Sequence, residues 1–173
     1  MYSSEIIGQE PLKCQLKKMI SLSQVPHCHM FIDSKGFGAL PLALYTALGL
    51  LHGFRTIEKA EDNGTPSKKL LEHPDLHFVF PMVNNRSSSS KAISDDYKSK
   101  WYDFIIRNPY GSTQDWIRQL DAGNKQGMIG VEEVVKIHHK MYLKPYNGGN
   151  KVMVIFGADK LSENASNKLL KLL

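Results

Sequence analysis

The sequence predicts an α/β fold, a parallel sheet flanked by helices, and three observations carry that expectation. Short apolar runs at 29–32, 76–80 and 151–156 have the length of strands and are bounded by turn-forming residues. Between them lie longer segments whose apolar residues recur at helical spacing. The first run leads into a glycine loop, Asp33-Ser34-Lys35-Gly36-Phe37-Gly38, and then into a nearly continuous apolar stretch at 40–51. Strand, glycine loop and buried helix in that order open an α/β nucleotide-binding unit.

Each element follows from local chemistry. Leu12, Leu16, Met19 and Ile20 share one helical face after Pro11, which suits the first turn, so 11–22 is predicted helical and Pro26 closes the segment. The run 29–32 reads as a buried strand and 40–51 as a helix buried on most sides. Residues 55–69 are polar and contain Asn63-Gly64 and Pro66, which predicts a loop. The run 76–80 is a second strand, stopped by Pro81. Residues 84–96, with serines at 87–90, read as a mobile loop. Trp101, Phe104 and Ile105 mark a helix ended at Asn108-Pro109, and Trp116 with Leu120 marks a short one after it. Apolar residues at 131, 134, 135, 137, 141 and 143 predict a helix whose first turn carries Glu132 and Glu133, where acids suit the dipole. A turn at 146–150 precedes the clearest strand, 151–156, and Ser162 is expected to cap a last helix running to Leu173.

Composition narrows the class. The 173 residues carry 22 Lys and Arg against 17 Asp and Glu, a net charge of +5, with 42% hydrophobic residues, so the chain is globular rather than disordered. The stretch 40–51 is interrupted by Pro41, Tyr45, Thr46 and Gly49 and falls short of the roughly 18 residues that a membrane span needs. No basic-then-apolar leader opens the sequence, and Cys14 and Cys28 are too few for a disulfide framework, so a cytoplasmic protein is expected. The lysines are dispersed (13, 17 and 18, then 68 and 69, then 98 and 100) and no aromatics interleave with them, which points to solvated helix faces rather than a nucleic-acid groove.

A working phosphate loop places glycines so that backbone N–H groups face the phosphates, a Lys against the β/γ charge, and a hydroxyl on magnesium. In the window 33–40 Gly36 and Gly38 are in place. Asp33 stands at the first glycine, Ala39 at the lysine and Leu40 at the hydroxyl residue, while Lys35 comes too early in the loop. The partner motif is an apolar strand ending in two acids that hold magnesium and polarise water. Here the strand is present, but Phe156 and Gly157 occupy the acidic positions, and Asp159 reads as a helix-entry residue. Both motifs lack their charged groups, so no catalytic residue, cofactor or metal is expected. Among other constellations, His27-Cys28-His29 and His73 with His77 lack a Cys-x-x-Cys partner and read as local hydrogen-bonding histidines. His138 and His139 cannot both face one ligand, and neither cysteine has an activating base. The aromatics of 97–116 are most simply core.

Several segments together resemble the delta-prime subunit family of bacterial DNA polymerase III, in the form found in Bacteroidetes-type bacteria. They are Ile6-Ile7-Gly8-Gln9, Val25-Pro26-His27 with 29–32, and above all His73-Pro74-Asp75-Leu76-His77-Phe78-Val79-Phe80-Pro81. Asn108-Pro109-Tyr110, Trp116 and Asn124-Lys125-Gln126-Gly127 fit an insertion before the third strand. The strand 151–155, Ala158-Asp159-Lys160-Leu161 and Asn164-Ala165-Ser166-Asn167-Lys168-Leu169-Leu170-Lys171 fit the region before that family's Glu-Glu-Pro. The resemblance covers nearly the whole chain. It implies a P-loop NTPase-like AAA+ sheet, incomplete at its C-terminal end, with 1–173 as an N-terminal AAA+ domain and the lid and collar domains absent. It also implies a clamp-loader subunit acting in DNA replication as a rigid, non-hydrolysing stator. Such a subunit would be an enzyme only through its complex, with ATP-binding neighbours and the clamp-opening subunit as partners, DNA contacted indirectly or weakly, and no membrane.

Two departures qualify the match. Relatives often carry a cysteine-rich zinc module after the loop helix, and 52–71 contain no cysteine, so zinc is not carried over. The sequence also ends before the family's Ser-Arg-Cys motif. The contrasting readings are an ATP-hydrolysing AAA+ protein and a stand-alone DNA-binding module. In the strand order that the resemblance implies, 5-1-4-3-2, strands one and three face an empty slot. That arrangement predicts a marginally stable or self-associated chain, or direct closure of strands one and three onto each other.

Overall fold

The computed structural model describes residues 4–33, 36–83, 92–121, 125–146 and 148–172. Its elements are helices α1 (Glu10–Ser21), α2 (Ala39–His52), α3 (Phe54–Asp62) and α4 (Ser67–Leu71), strand β1 (Leu76–Val79), helices α5 (Lys98–Arg107), α6 (Thr113–Gln119) and α7 (Val131–Tyr142), strand β2 (Val152–Ile155) and helix α8 (Glu163–Leu169). Short 3-10 turns occupy Ser94–Tyr97 and Ala158–Lys160.

β1 and β2 pair in parallel with Leu76 opposite Val152 and Val79 opposite Ile155. They are the second and third predicted strands, and their adjacency agrees with the expected order. Side chains of a strand alternate between faces, and here each face has its own core. Leu76, Phe78, Val152 and Val154 pack with α1, α2, α5 and Trp116. Val79, Met153 and Ile155 pack instead with Val134 and Ile137 of α7 and with Ala165 and Leu169 of α8. The sheet therefore lies between two helical layers. Residues 128 and 129 stitch its end, exchanging bonds with Met82 on one side and with Lys160 and Ser162 on the other.

The first core holds an aromatic nest. Phe80 stacks on Trp101 at 4.5 Å between ring centroids, and Trp116 meets Phe80 at 4.7 Å and Trp101 at 5.2 Å. Trp116 also donates its indole N–H to the carbonyl of Pro81 at 2.8 Å, which fixes the chain just beyond β1. The helix ends follow the capping rules. Ser112 and Asp115 form a reciprocal capping box at the start of α6, and the hydroxyl of Ser162 accepts the Ala165 N–H at the start of α8.

Three expectations need correction. Residues 29–32 are extended but not a strand. His29 and Phe31 turn inward, Met30 and Ile32 are 78% and 83% exposed, and no ladder bond joins them to a neighbour among the described residues. The period-two pattern set the alternation, but a strand also needs a partner edge, and β2 pairs with β1 rather than closing onto this segment. The expected loop at 55–69 is instead α3 and α4 around a turn at Asn63 and Gly64. Phe54, Ile57 and Ala60 supply a narrow apolar stripe that polar neighbours concealed, and Leu70 and Leu71 anchor α4. The last helix stops at Leu169, and Asp159 sits in the 3-10 turn before it. The expected mobile loop lies outside the described residues at 84–91, as do Ser34, Lys35, Asn124, Asn147 and Leu173.

Candidate functional site

The glycine loop enters α2 through two residues in left-handed backbone. Gly38, with φ 119°, is the residue before the first turn, and Gly36 has φ 76°. Gly36 is required for a second reason: a Cβ there would stand 2.6 Å from the backbone carbonyl oxygen of Tyr110. The amides of Gly38 and Ala39 lie at the start of α2, the positive end of the helix dipole. The loop's side chains supply no cation among the described residues. Ala39 is half-buried and Leu40 is buried in the core, so the two positions that would carry Lys and a hydroxyl serve packing. Asp33 turns back, and its Oδ2 accepts the N–H groups of Gly38 at 3.0 Å and Ala39 at 2.9 Å.

The second motif lies at the end of β2. Phe156 donates its backbone N–H to the carbonyl of Val79 at 2.8 Å, and its ring enters the aromatic nest, 5.2 Å from Trp101 and 6.3 Å from Phe104. Gly157 has φ 68°, and a Cβ there would meet Cγ2 of Thr113 at 2.6 Å and Cγ of Pro81 at 3.2 Å. Neither residue offers a ligand oxygen on its side chain. Asp159, the nearest downstream carboxylate in sequence, pairs with Lys160 Nζ at 2.7 Å.

One connection spans both motifs. Tyr110 lies against Gly36 and Gly38, and Thr113, three residues on, lies against Gly157. The hydroxyl of Tyr110 also accepts the N–H of Ile7 at 2.7 Å. No periodicity or motif in the sequence marks Tyr110 for this role. Asp33 was visible there as an acid in the wrong place, but not as the group that satisfies the loop.

Neither His27 with His29 nor His73 with His77 forms a ligand set, although the rings of His52 and His73 meet edge to face at 5.0 Å. The Nε2 of His27 faces the Leu172 carbonyl at 3.1 Å, that of His52 the Leu70 carbonyl at 3.0 Å, and that of His138 the Lys168 carbonyl at 3.2 Å. Nδ1 of His73 accepts the Asp75 N–H at 3.1 Å. No group of three metal-ligating side chains is assembled among the described residues. Away from the loop, Glu133 of α7 is buried and accepts the Ser94 N–H at 2.9 Å, while the Ser94 hydroxyl bonds both the N–H and the carbonyl of Phe80. Burial raises the pKa of Glu133 above the usual carboxylate value. On the same side of the sheet His77 is pushed down to about 4 by burial and by the ammonium groups of Lys140, Lys151 and Lys98. No helix among the described residues is long and apolar enough to cross a membrane.

Among curated proteins and among solved structures no match is found. A family model does match, over residues 8–173, and its description is DNA polymerase III, delta subunit. That span takes in the glycine loop, both strands and the Phe156-Gly157 end of β2, and this chain belongs to that clamp-loader family.

Proposed function

We propose that this chain is a clamp-loader subunit of the delta-prime type, the N-terminal AAA+ region of a stator that does not hydrolyse ATP. Its role would be to hold a fixed shape against which ATP-binding neighbours and the clamp-opening subunit move during replication, in the cytoplasm. DNA would be met indirectly or weakly, since the lysines are dispersed. The observation that carries the reading is the double lack of charge. Ala39 and Leu40 stand where phosphate and magnesium would need Lys and a hydroxyl, and Phe156 and Gly157 stand where two acids would be needed. The surroundings of Gly157 support it, because Thr113 and Pro81 fill the space that a side chain there would take.

The test is a titration of the wild-type chain with ATP and magnesium, paired with co-purification against the ATP-binding subunits of the same clamp loader. The expected result is assembly without saturable micromolar ATP binding and without turnover. Micromolar binding or turnover would favour the ATP-hydrolysing reading. A salt-dependent affinity for primed duplex without subunit assembly would favour the DNA-binding module.

A further inference from the structure

Two amides where the glycine loop enters α2 are already satisfied by the chain itself. One oxygen of Asp33 takes the amides of Gly38 and Ala39, the first free donors at the start of α2, where a negative charge is stabilised by the dipole. The opposite side is closed by Tyr110. Its carbonyl oxygen stands 2.6 Å from the position a Cβ of Gly36 would take, and its ring Cε1 lies 3.6 Å from the Cβ position of Gly38. The Tyr110 hydroxyl is in turn fixed by the Ile7 N–H at 2.7 Å. Ile7, Asp33 and Tyr110, from three separate stretches of chain, are therefore linked to Gly36, Gly38 and Ala39.

We propose that this arrangement is an intramolecular lock, in which Asp33 serves as the resident anion of the loop and Tyr110, held by Ile7, keeps it closed to polyphosphate. The inference rests on the loop being a vestigial phosphate cradle; it does not rest on the stator role. It adds to the lack of Lys and hydroxyl a positive device, since a carboxylate supplied by the chain repels a phosphate and uses the donors a phosphate would need.

Amide exchange and pyrophosphate titration of the 173-residue chain, both read by NMR at Gly36, Gly38 and Ala39, test the lock. In the wild type the Gly38 and Ala39 amides should be protected, and millimolar pyrophosphate should leave all three resonances in place. Asp33→Gly should speed exchange at Gly38 and Ala39 about tenfold, as expected for loss of a charge-assisted hydrogen bond. It should also let pyrophosphate move those resonances saturably and restore their protection. Tyr110→Phe should expose the Ile7 amide and let pyrophosphate move the Gly36 resonance, and an unmoved Gly36 resonance overturns the part of Tyr110 in the lock. Wild-type resonances that follow pyrophosphate overturn the proposal. So does an Asp33→Gly chain with unchanged exchange, or one that exchanges faster but ignores pyrophosphate. If that chain does not fold, Asp33→Asn, which retains a neutral cap, decides the matter. Upfield movement of the Gly38 and Ala39 amide protons supports the resident anion, and unmoved protons overturn it. Neither ATP turnover nor subunit assembly enters these measurements, so the stator reading stands or falls separately.

Discussion

The glycine loop and the end of β2 both lack charged side chains at the motif positions, and the two are built differently. At the glycine loop Gly36 and Gly38 are in left-handed conformation, and the Asp33 carboxylate sits on the amides of Gly38 and Ala39. At the end of β2 the acidic positions are built over, one by a ring in the aromatic nest and the other by a glycine under Thr113 and Pro81. At the first end the carboxylate on the amides can be removed by a single substitution. The second has become part of the core, so restoring its chemistry would damage packing. Placing a charge at 156 should therefore cost more than restoring Lys and Thr at the loop, where the buried Leu40 sets the cost.

The largest effect is expected from Phe156→Asp. It removes a ring that meets Trp101 and Phe104 and places a carboxylate beside apolar side chains, at a cost of about 3 kcal/mol. Denaturant unfolding should show the loss as a lowered midpoint. A variant within about 0.5 kcal/mol of wild type would mean that position 156 is surface and that the two ends are alike.

Gly157→Ala comes next. A residue with a Cβ at φ 68° costs about 1–2 kcal/mol before the contact with Thr113 is counted. The pair Gly157→Ala and Thr113→Ser separates the two causes, since removing Cγ2 should return the steric part and leave the backbone part. A glycine substitution without measurable loss would break the comparison at its more rigid end.

At the loop, the double variant Ala39→Lys with Leu40→Thr should lose about 2 kcal/mol, chiefly because Leu40 is buried. Its expected ATPase activity is nil, because Phe156 and Gly157 leave magnesium without a carboxylate. Measurable turnover in a coupled phosphate-release assay would show that the second end is not needed, and that the site is closed by one missing charge rather than two.

How much of this was legible in the sequence depended on where each determinant lies. The lack of charge at Ala39, Leu40, Phe156 and Gly157 was, because it is a matter of identities at fixed spacing. The pairing of 76–79 with 152–155 followed from two apolar runs. The run 29–32 looked the same, yet whether an apolar run becomes a strand depends on an edge elsewhere in the chain. Helices α3 and α4 were hidden because a few anchors, such as Ile57 and Leu71, suffice when α2 packs alongside. Tyr110 on the loop and Glu133 on Ser94 span long sequence separations and leave no local pattern. The acid at 133 was legible only as a charge suited to a helix start, and its burial was not.

The smallest effect sharpens the comparison from the opposite side of the sheet, where ionisable groups are retained in partly or fully buried positions. His77 titrates near 4 in the folded chain against about 6.5 unfolded, so between those values the unfolded chain binds more protons. Its contribution is complete above about pH 6.5 and is lost as pH falls towards 4. With the ring only half buried and screened by water, that contribution is on the order of 1 kcal/mol. Glu133 acts in the opposite sense, since its raised pKa makes its contribution full below the ordinary carboxylate value and lost as pH rises through the folded one. The groups around them are Lys98, Lys140, Lys151 and Asp75 at His77, and Ser94, Asp95 and Lys140 at Glu133. His77→Gln should therefore flatten the acid limb of a pH–melting profile. Glu133→Gln keeps an acceptor for the Ser94 N–H without the buried charge, so at neutral pH it should melt at or slightly above wild type. A marked loss at neutral pH in Glu133→Gln would show that the charge itself holds Ser94. The α7 flank would then depend on a retained charge where both ends of the loop site do without theirs.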